Sequence, residues 1–345
     1  MNKKNIERIF ITGGMGYIGS AFAKKALKKG YSVCLYDSLM YEQNRTRMVG
    51  EILKSGTKNL ELKLVIGDNR NKDLLRKELI KFDPTYVLHF GELSSVYSCN
   101  HNPVFTKDIN YNASKTVINV CEELGLKVLY NSSSSIYGTQ KESRLMTEKD
   151  SLPTPTDYYC LYKMKMEEFI KNKTRKNPNF KIIVFRPATV FGLSPRFRIE
   201  LLPNHFTYLA LSRKLIKVSD LNAYRAAIDM DELIEGYFKV IEKGQWNSLI
   251  YNIGHFNLNK KKFAEGIQKV VKCEIGSAPD IGDLRNLQID CSLFNKEFDF
   301  HPNTTYTDSI KKVAEWIGKN IEKMESNNFA ELLNMPLDKW RQICS

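Results

Sequence analysis

Apolar and polar positions along this chain alternate in two rhythms. Short β-branched runs, Arg8–Thr12, Ser32–Tyr36, Leu62–Ile66, Tyr86–Phe90, Val128–Asn131 and Ile182–Phe185, suit strands buried on both faces. Between them, apolar residues recur at helical spacing over about 16–30, 41–54, 70–82, 104–124 and 156–175. The first of these sets Ile18, Phe22, Ala26 and Leu27 on one face and Lys24, Lys25, Lys28 and Lys29 on the other. Strand and helix alternate throughout, which predicts an α/β fold with a doubly wound parallel sheet covered on both sides. Past residue 190 the pattern loosens into a smaller lobe, and 306–323 reads as an amphipathic helix with Ile310, Val313, Ala314, Ile317 and Ile321. The expected division is 1–190, 191–325 with strands returning to the sheet, and an apolar tail 326–345 carrying Phe329, Leu332, Leu333 and Trp340, which docks on the body or on a partner.

The turn after the first strand reads T-G-G-M-G-Y-I-G. Gly14, Gly16 and Gly19 fit one glycine spacing, and Gly13, Gly16 and Gly19 fit another. Either lets a pyrophosphate approach the backbone and the free N–H groups of the helix that follows. The second strand ends in Asp37, about 20 residues on, where a carboxylate accepts from ribose hydroxyls and repels a 2′-phosphate. The combination predicts a Rossmann-type domain binding NAD rather than NADP, with Arg45 and Arg47 close enough downstream to weigh against that preference. Asp68, closing the third strand, stands where an adenine amino group is met.

Composition changes this picture little. The 345 residues are 42% hydrophobic, which is ordinary for a chain with a substantial core. Neither an apolar run long enough to span a membrane nor a signal-peptide pattern appears, and the seven scattered cysteines never form C-x-x-C, so the expectation is a cytoplasmic protein with reduced thiols. Five histidines without ligand spacing argue against a metal site. The net charge of +13 raises nucleic-acid binding, yet the lysines fall on outer helix faces and no arginine block interleaves with aromatics. Solvated lysine faces are the simpler reading, and a basic surface gathers anionic substrates.

The fifth strand runs into S-S-S-S-I-Y-G, at the strand end where ligands bind in open α/β sheets. In the helix after the proline-containing loop, Tyr159 and Lys163 are one turn apart on one face. A phenol is a poor base near pH 7, and an adjacent ammonium together with an oxidised nicotinamide favours the phenolate. Lowering its pKa that far takes roughly 4 kcal/mol. The phenolate then takes a proton from a substrate hydroxyl. Two surface residues on an amphipathic helix remain the bland alternative for such a pair.

Taken in order, T-G-G-M-G-Y-I-G, H-F-G-E, S-S-S-S-I-Y-G, Y-C-L-Y-K and R-P-A-T-V-F-G resemble the extended short-chain dehydrogenase/reductases of the NAD-dependent sugar epimerase/dehydratase group, over nearly the whole chain to about residue 320. The resemblance implies Tyr159 as catalytic base, Lys163 on the nicotinamide ribose, and Ser133 on the reacting sugar oxygen. It further implies Gly13, Gly16, Tyr17 and Ile18 at the cofactor. Ser134, Ser135, Arg196, Arg198, Asn204, Arg225 and Arg285 are implied at a nucleotide-diphosphate sugar, with arginine forks suited to its phosphates. Y-D-S-L-M-Y, L-S-P-R-F-R-I-E-L-L-P-N-H-F and D-L-R-N-L are similar to enzymes of bacterial nucleotide-activated sugars, GDP-heptose 4-oxidoreductases among them, which favours a GDP-sugar.

Departures from the pattern matter. Ser134 and Ser135 replace the acid that water-eliminating members carry after the catalytic Ser or Thr, which disfavours a dehydratase. H-F-G-E replaces the commoner H-x-A-A and brings Glu92 beside the nicotinamide pocket, as a catalytic group or as a capping or solvent-facing one. Thr189 stands where epimerases often have Asn. Tyr, Lys and Ser serve epimerase, dehydrogenase and reductase alike, and an NAD-binding protein that keeps the fold without the chemistry is the rival class. The family further implies a homodimer through helices 104–124 and 156–175, with Val117, Val120, Cys121, Met164 and Phe169 divided between sheet and partner.

Overall fold

The computed structural model describes residues 7–41, 45–56, 60–140, 144–246, 249–278 and 285–325. The expected tail 326–345 lies outside them. Strands β1 (Arg8–Thr12), β2 (Ser32–Asp37), β3 (Leu62–Ile66), β4 (Tyr86–His89) and β5 (Lys127–Asn131) are joined by Ile182–Pro187 and Ile250–Ile253. They form one parallel sheet in the order β3, β2, β1, β4, β5, Ile182–Pro187, Ile250–Ile253. The order reverses between β1 and β4, and open α/β sheets bind ligands at the carboxyl ends flanking that point. Register brings Thr12 opposite both Tyr36 and His89, and His89 opposite Tyr130.

Both faces are covered. Ile9, Ile11, Val33 and Leu35 pack with Phe22, Ala26 and Phe238 on one side. Phe10, Val87, Val128 and Tyr130 pack with Leu79, Val117 and Ile170 on the other. The outermost returning strand, Ile250–Ile253, is reached only after the chain has built part of the second lobe. There, Thr189–Phe191, Tyr224–Asp229 and Phe256–Asn259 make a three-stranded sheet, and Leu215–Val218 pairs with Glu274–Ser277. The amphipathic helix spans Tyr306–Glu325, with Val313 and Ile317 packed on Phe197 and Leu209.

One helical expectation needs correction. The stretch 104–124 is broken into Pro103–Lys107, a wider π-helical turn Asp108–Ala113 and Ser114–Glu123. A further helix, Val96–His101, precedes it, capped by the Ser95 hydroxyl. Of the residues expected to divide between sheet and partner, Val117, Val120 and Cys121 are wholly enclosed against the sheet, and Met164 and Phe169 are partly exposed. Among the described residues, no helix is long and apolar enough to cross a membrane, and no three His, Cys, Asp or Glu side chains gather as metal ligands.

Candidate active site

A cleft of about 1200 Å³ lies across the carboxyl ends of the strands, between the sheet and the second lobe. At one end, Gly13, Gly16, Tyr17 and Ile18 line it, and Gly14 does not. Gly13 has φ +66°, and a Cβ there would lie 2.6 Å from the Gly91 nitrogen. Of the two glycine spacings, the one through Gly13, Gly16 and Gly19 therefore faces the cleft. Helix α1 (Tyr17–Lys28) begins with Gly16 as N-cap, with no side chain capping it and no acid in its first turn. Its first N–H groups are thus left for an anion. Asp37 accepts from the Met15 and Leu39 amides at 2.9 and 2.8 Å. Burial pushes its carboxyl up, and those two amides oppose the shift. A glycine cradle, an uncapped helix start and a strand-end carboxylate fit a dinucleotide.

Tyr159 and Lys163 come from the Tyr158–Lys176 helix, whose start is fixed by the Asp157 carboxylate accepting from the Cys160 amide at 2.8 Å. Both side chains line the cleft with Ser133, and the Lys163 Nζ is 5.8 Å from the Tyr159 ring centre. Burial drives the Tyr159 phenol above its ordinary range, while Lys163 and the Ser133 hydroxyl pull it back. Lys163 donates to the Asn131 carbonyl, and the Asn131 side chain is in turn fixed by the Tyr237 hydroxyl at 2.7 Å. Its Nζ also lies 2.5 Å from Glu92 Oε2, with the two side chains 6% and 4% exposed. Burial would strip the ammonium proton, and Glu92 reverses that effect, so Lys163 ends above its usual range. Glu92 is thus neither a cap nor solvent-facing.

At the far end, Arg225 and Arg285 line the cleft with Arg213, Lys217 and Lys260. Arg285 donates to the Ser135 hydroxyl at 3.1 Å, and Lys260 donates to the Ser219 carbonyl at 3.0 Å. Ser134 is buried in the turn after Ser133, and Thr189 lines the wall.

Arg196, Arg198 and Asp68 also line the cleft, each with protein partners of its own, whereas Asn204 does not. Arg196 is buried over the Tyr41 ring at 4.9 Å, and Asp37 is among the charges it feels. Arg198 is held by Glu200 at 2.7 Å and donates to Ser94 at 3.0 Å. The Asn204 amide is committed to the Gly192 N–H, the Arg198 carbonyl and the Tyr17 hydroxyl at 3.1, 2.8 and 3.3 Å, and the residue stands behind the cleft wall rather than on it. Both Asp68 carboxylate oxygens already accept from Arg70. Asn131 and Lys260 lie outside the motifs and folding brings them to the cleft, as it brings Ser114 against Glu92, while His205, the histidine of L-S-P-R-F-R-I-E-L-L-P-N-H-F, lines the cleft as well.

The model of the NAD dependent epimerase/dehydratase family matches residues 9–254. UDP-glucose 4-epimerase 2 of Oryza sativa subsp. japonica is 30% identical over 192 residues, covering 55% of this chain and 46% of that protein. Protein CapI of Staphylococcus aureus is 24% identical over 332 residues, covering 90% of this chain and 98% of its own length. In structure, UDP-glucose 4-epimerase from Bifidobacterium longum in complex with NAD+ and UDP superimposes with a TM-score of 0.79 at 21% identity, over 91% of this chain and 99% of that one. At that identity the superposition speaks for the fold, while the match over residues 9–254 spans most of the sequence: this chain belongs to the NAD dependent epimerase/dehydratase family.

Proposed function

We propose that the protein oxidises a hydroxyl, at C4, of a nucleoside-diphosphate sugar through a 4-keto species, acting as an epimerase or as a dehydrogenase/reductase. The observation that carries this reading is the gathering of Ser133, Tyr159 and Lys163 between a glycine cradle at one end of the cleft and Arg225 and Arg285 at the other. Bound NAD supplies the hydride acceptor. The chain's own residues do the rest. Ser133 orients the reacting oxygen, and Tyr159 takes its proton as Lys163 stabilises the phenolate. Arg225 and Arg285 hold the diphosphate, whose charge suits their forks. Epimerisation adds only a turn of the keto sugar before hydride returns to its other face.

A 4,6-dehydratase needs an acid just past Ser133. Ser134 and Ser135 stand there, and the Ser135 hydroxyl is held by Arg285, which weighs against that reaction. For the nucleotide, two of the three similar proteins named above are UDP-glucose 4-epimerases, and the motif likeness favours GDP. Mass spectrometry of nucleotides released from the purified protein, followed by a screen of UDP-, GDP-, CDP- and dTDP-sugars, tests the proposal. Absorbance of reduced cofactor, or a C4 epimer in the product, is expected with at least one sugar. A protein that releases NAD yet changes none of them would favour a fold kept without chemistry.

A further inference from the structure

Glu92 ends a run of buried donors. The Thr12 hydroxyl is 2.6 Å from His89 Nδ1, His89 Nε2 is 2.9 Å from the Ser114 hydroxyl, and that hydroxyl donates to Glu92 Oε1 at 2.6 Å. His89 is neutral at ordinary pH, because burial takes it down to about 4 against the pull of Glu92. With Ser114 donating, the imidazole must give its Nε2 proton to Ser114 and accept from Thr12 at Nδ1. All three donors therefore point one way, toward the Glu92 carboxyl group. The loop bearing Glu92 is fixed as well, since the Asn110 side chain, from the π-helical turn, accepts from the Leu93 amide and donates to the Leu93 carbonyl, both at 2.8 Å.

The charges around the phenol can be counted. From its own helix Tyr159 faces Lys163 and Cys160, with Asp157 at the helix start. β4 ends in His89 and Glu92 follows it, from β5 comes Tyr130, and Cys99 belongs to the Val96–His101 helix. Burial pushes Cys99 up to about 12 and raises Cys160 and Tyr130, so these stay neutral. Among the described residues, the cation that the phenol itself feels is Lys163 and the anion is Glu92, the two in contact with each other, while Asp157 is spent on the Cys160 amide. The ammonium keeps two further supports, the Asn131 carbonyl and the Tyr130 ring at 5.0 Å.

We propose that Glu92 is a positioning residue for the Tyr159–Lys163 pair: it seats the lysine and cancels its charge at the phenol, so that Lys163 alone does not ionise Tyr159. Ionisation then awaits the further positive charge of an oxidised nicotinamide. The inference rests on the reading of Tyr159 as the base, but its test does not use turnover.

The ultraviolet tyrosinate band of Tyr159 is followed against pH in the purified protein without added cofactor or sugar, as the difference between each protein and its Tyr159→Phe counterpart. Glu92→Gln removes the charge and nearly keeps the shape, and the band is expected to rise roughly one pH unit or more earlier than in the unaltered protein. Glu92→Asp should restore most of the original midpoint. Ser114→Ala disturbs the same cluster but leaves the carboxylate, and its midpoint should hold. A midpoint that stays or moves upward in Glu92→Gln, or one that moves as far in Ser114→Ala, overturns the proposal. In the unaltered chain, the carboxyl carbon-13 resonance of Glu92 should be that of a carboxylate at neutral pH, and a protonated Glu92 there overturns it even if the variants fail to fold. Full turnover in Tyr159→Phe would remove the base reading and leave this titration to be judged by itself.

Discussion

Asp37 is proposed to set which dinucleotide the cleft prefers, and its two backbone donors hold it at the strand end without using up its acceptor capacity. Asp37→Ala should weaken NAD binding and narrow the preference over NADP, because the ribose acceptor and the repulsion of a 2′-phosphate vanish together. Calorimetric titration with both cofactors checks this, and a wild type that binds NADP more tightly contradicts it. Arg196 sharpens the point, since its buried guanidinium lies close enough to Asp37 to feel its charge. Asp37, Tyr159 and Lys163 were legible in the sequence because strand ends and one helical turn fix where such side chains go. The surroundings of Arg196, which the motifs did single out, and of Ser114 were not, because their neighbours come from remote parts of the chain: Tyr41 under one, Glu92 and His89 around the other.

Among the elements, the Tyr158–Lys176 helix carries Tyr159 and Lys163, and its seat is a buried ion pair of which the motif R-P-A-T-V-F-G shows only the arginine. Arg186, in the strand Ile182–Pro187, meets Glu167 at 2.6 and 2.9 Å and donates to the Tyr137 hydroxyl at 2.7 Å, with both charged side chains 1% exposed. An arginine in an otherwise apolar run reads as an interruption until the helix opposite supplies its carboxylate. Arg186→Met strands Glu167 without a partner and should destabilise the fold by about 3–5 kcal/mol, whereas Arg186→Met with Glu167→Leu should recover much of that loss. Urea unfolding of the single and double variants measures it, and an Arg186→Met protein as stable as the original would show the pair to be unimportant. The broken helix at 103–123 teaches a related lesson. Its apolar spacing reads as continuous, but Asn110 and Ser114 are spent on the loop after β4, and the π-helical turn Asp108–Ala113 is where the helix accommodates them.

At the scale of the molecule, alternating strand and helix patterns foretold the parallel sheet, while the return of Ile250–Ile253 to its edge was invisible locally, since nothing in four residues says which strand they will join. The proposed homodimer belongs here too. With Val117, Val120 and Cys121 enclosed, a two-fold partner would meet the outer surface of the same helices, where Val104 and Tyr158 are 80% and 40% exposed and Tyr111 is partly so. Light scattering should give a dimer both for the full chain and for a chain ending at Glu325. A dimer lost on truncation would assign assembly to the last twenty residues, and a full-length monomer at micromolar concentration would end the proposal.

The central claim is that Tyr159 removes a proton from a sugar hydroxyl in this cleft. Its most direct test is the rate of cofactor reduction, or of epimer formation, by Tyr159→Phe with the sugar nucleotide found in the screen. NAD binding should survive and the rate should fall about 10²–10⁴-fold, the usual worth of a general base. Turnover near that of the unaltered protein would contradict it.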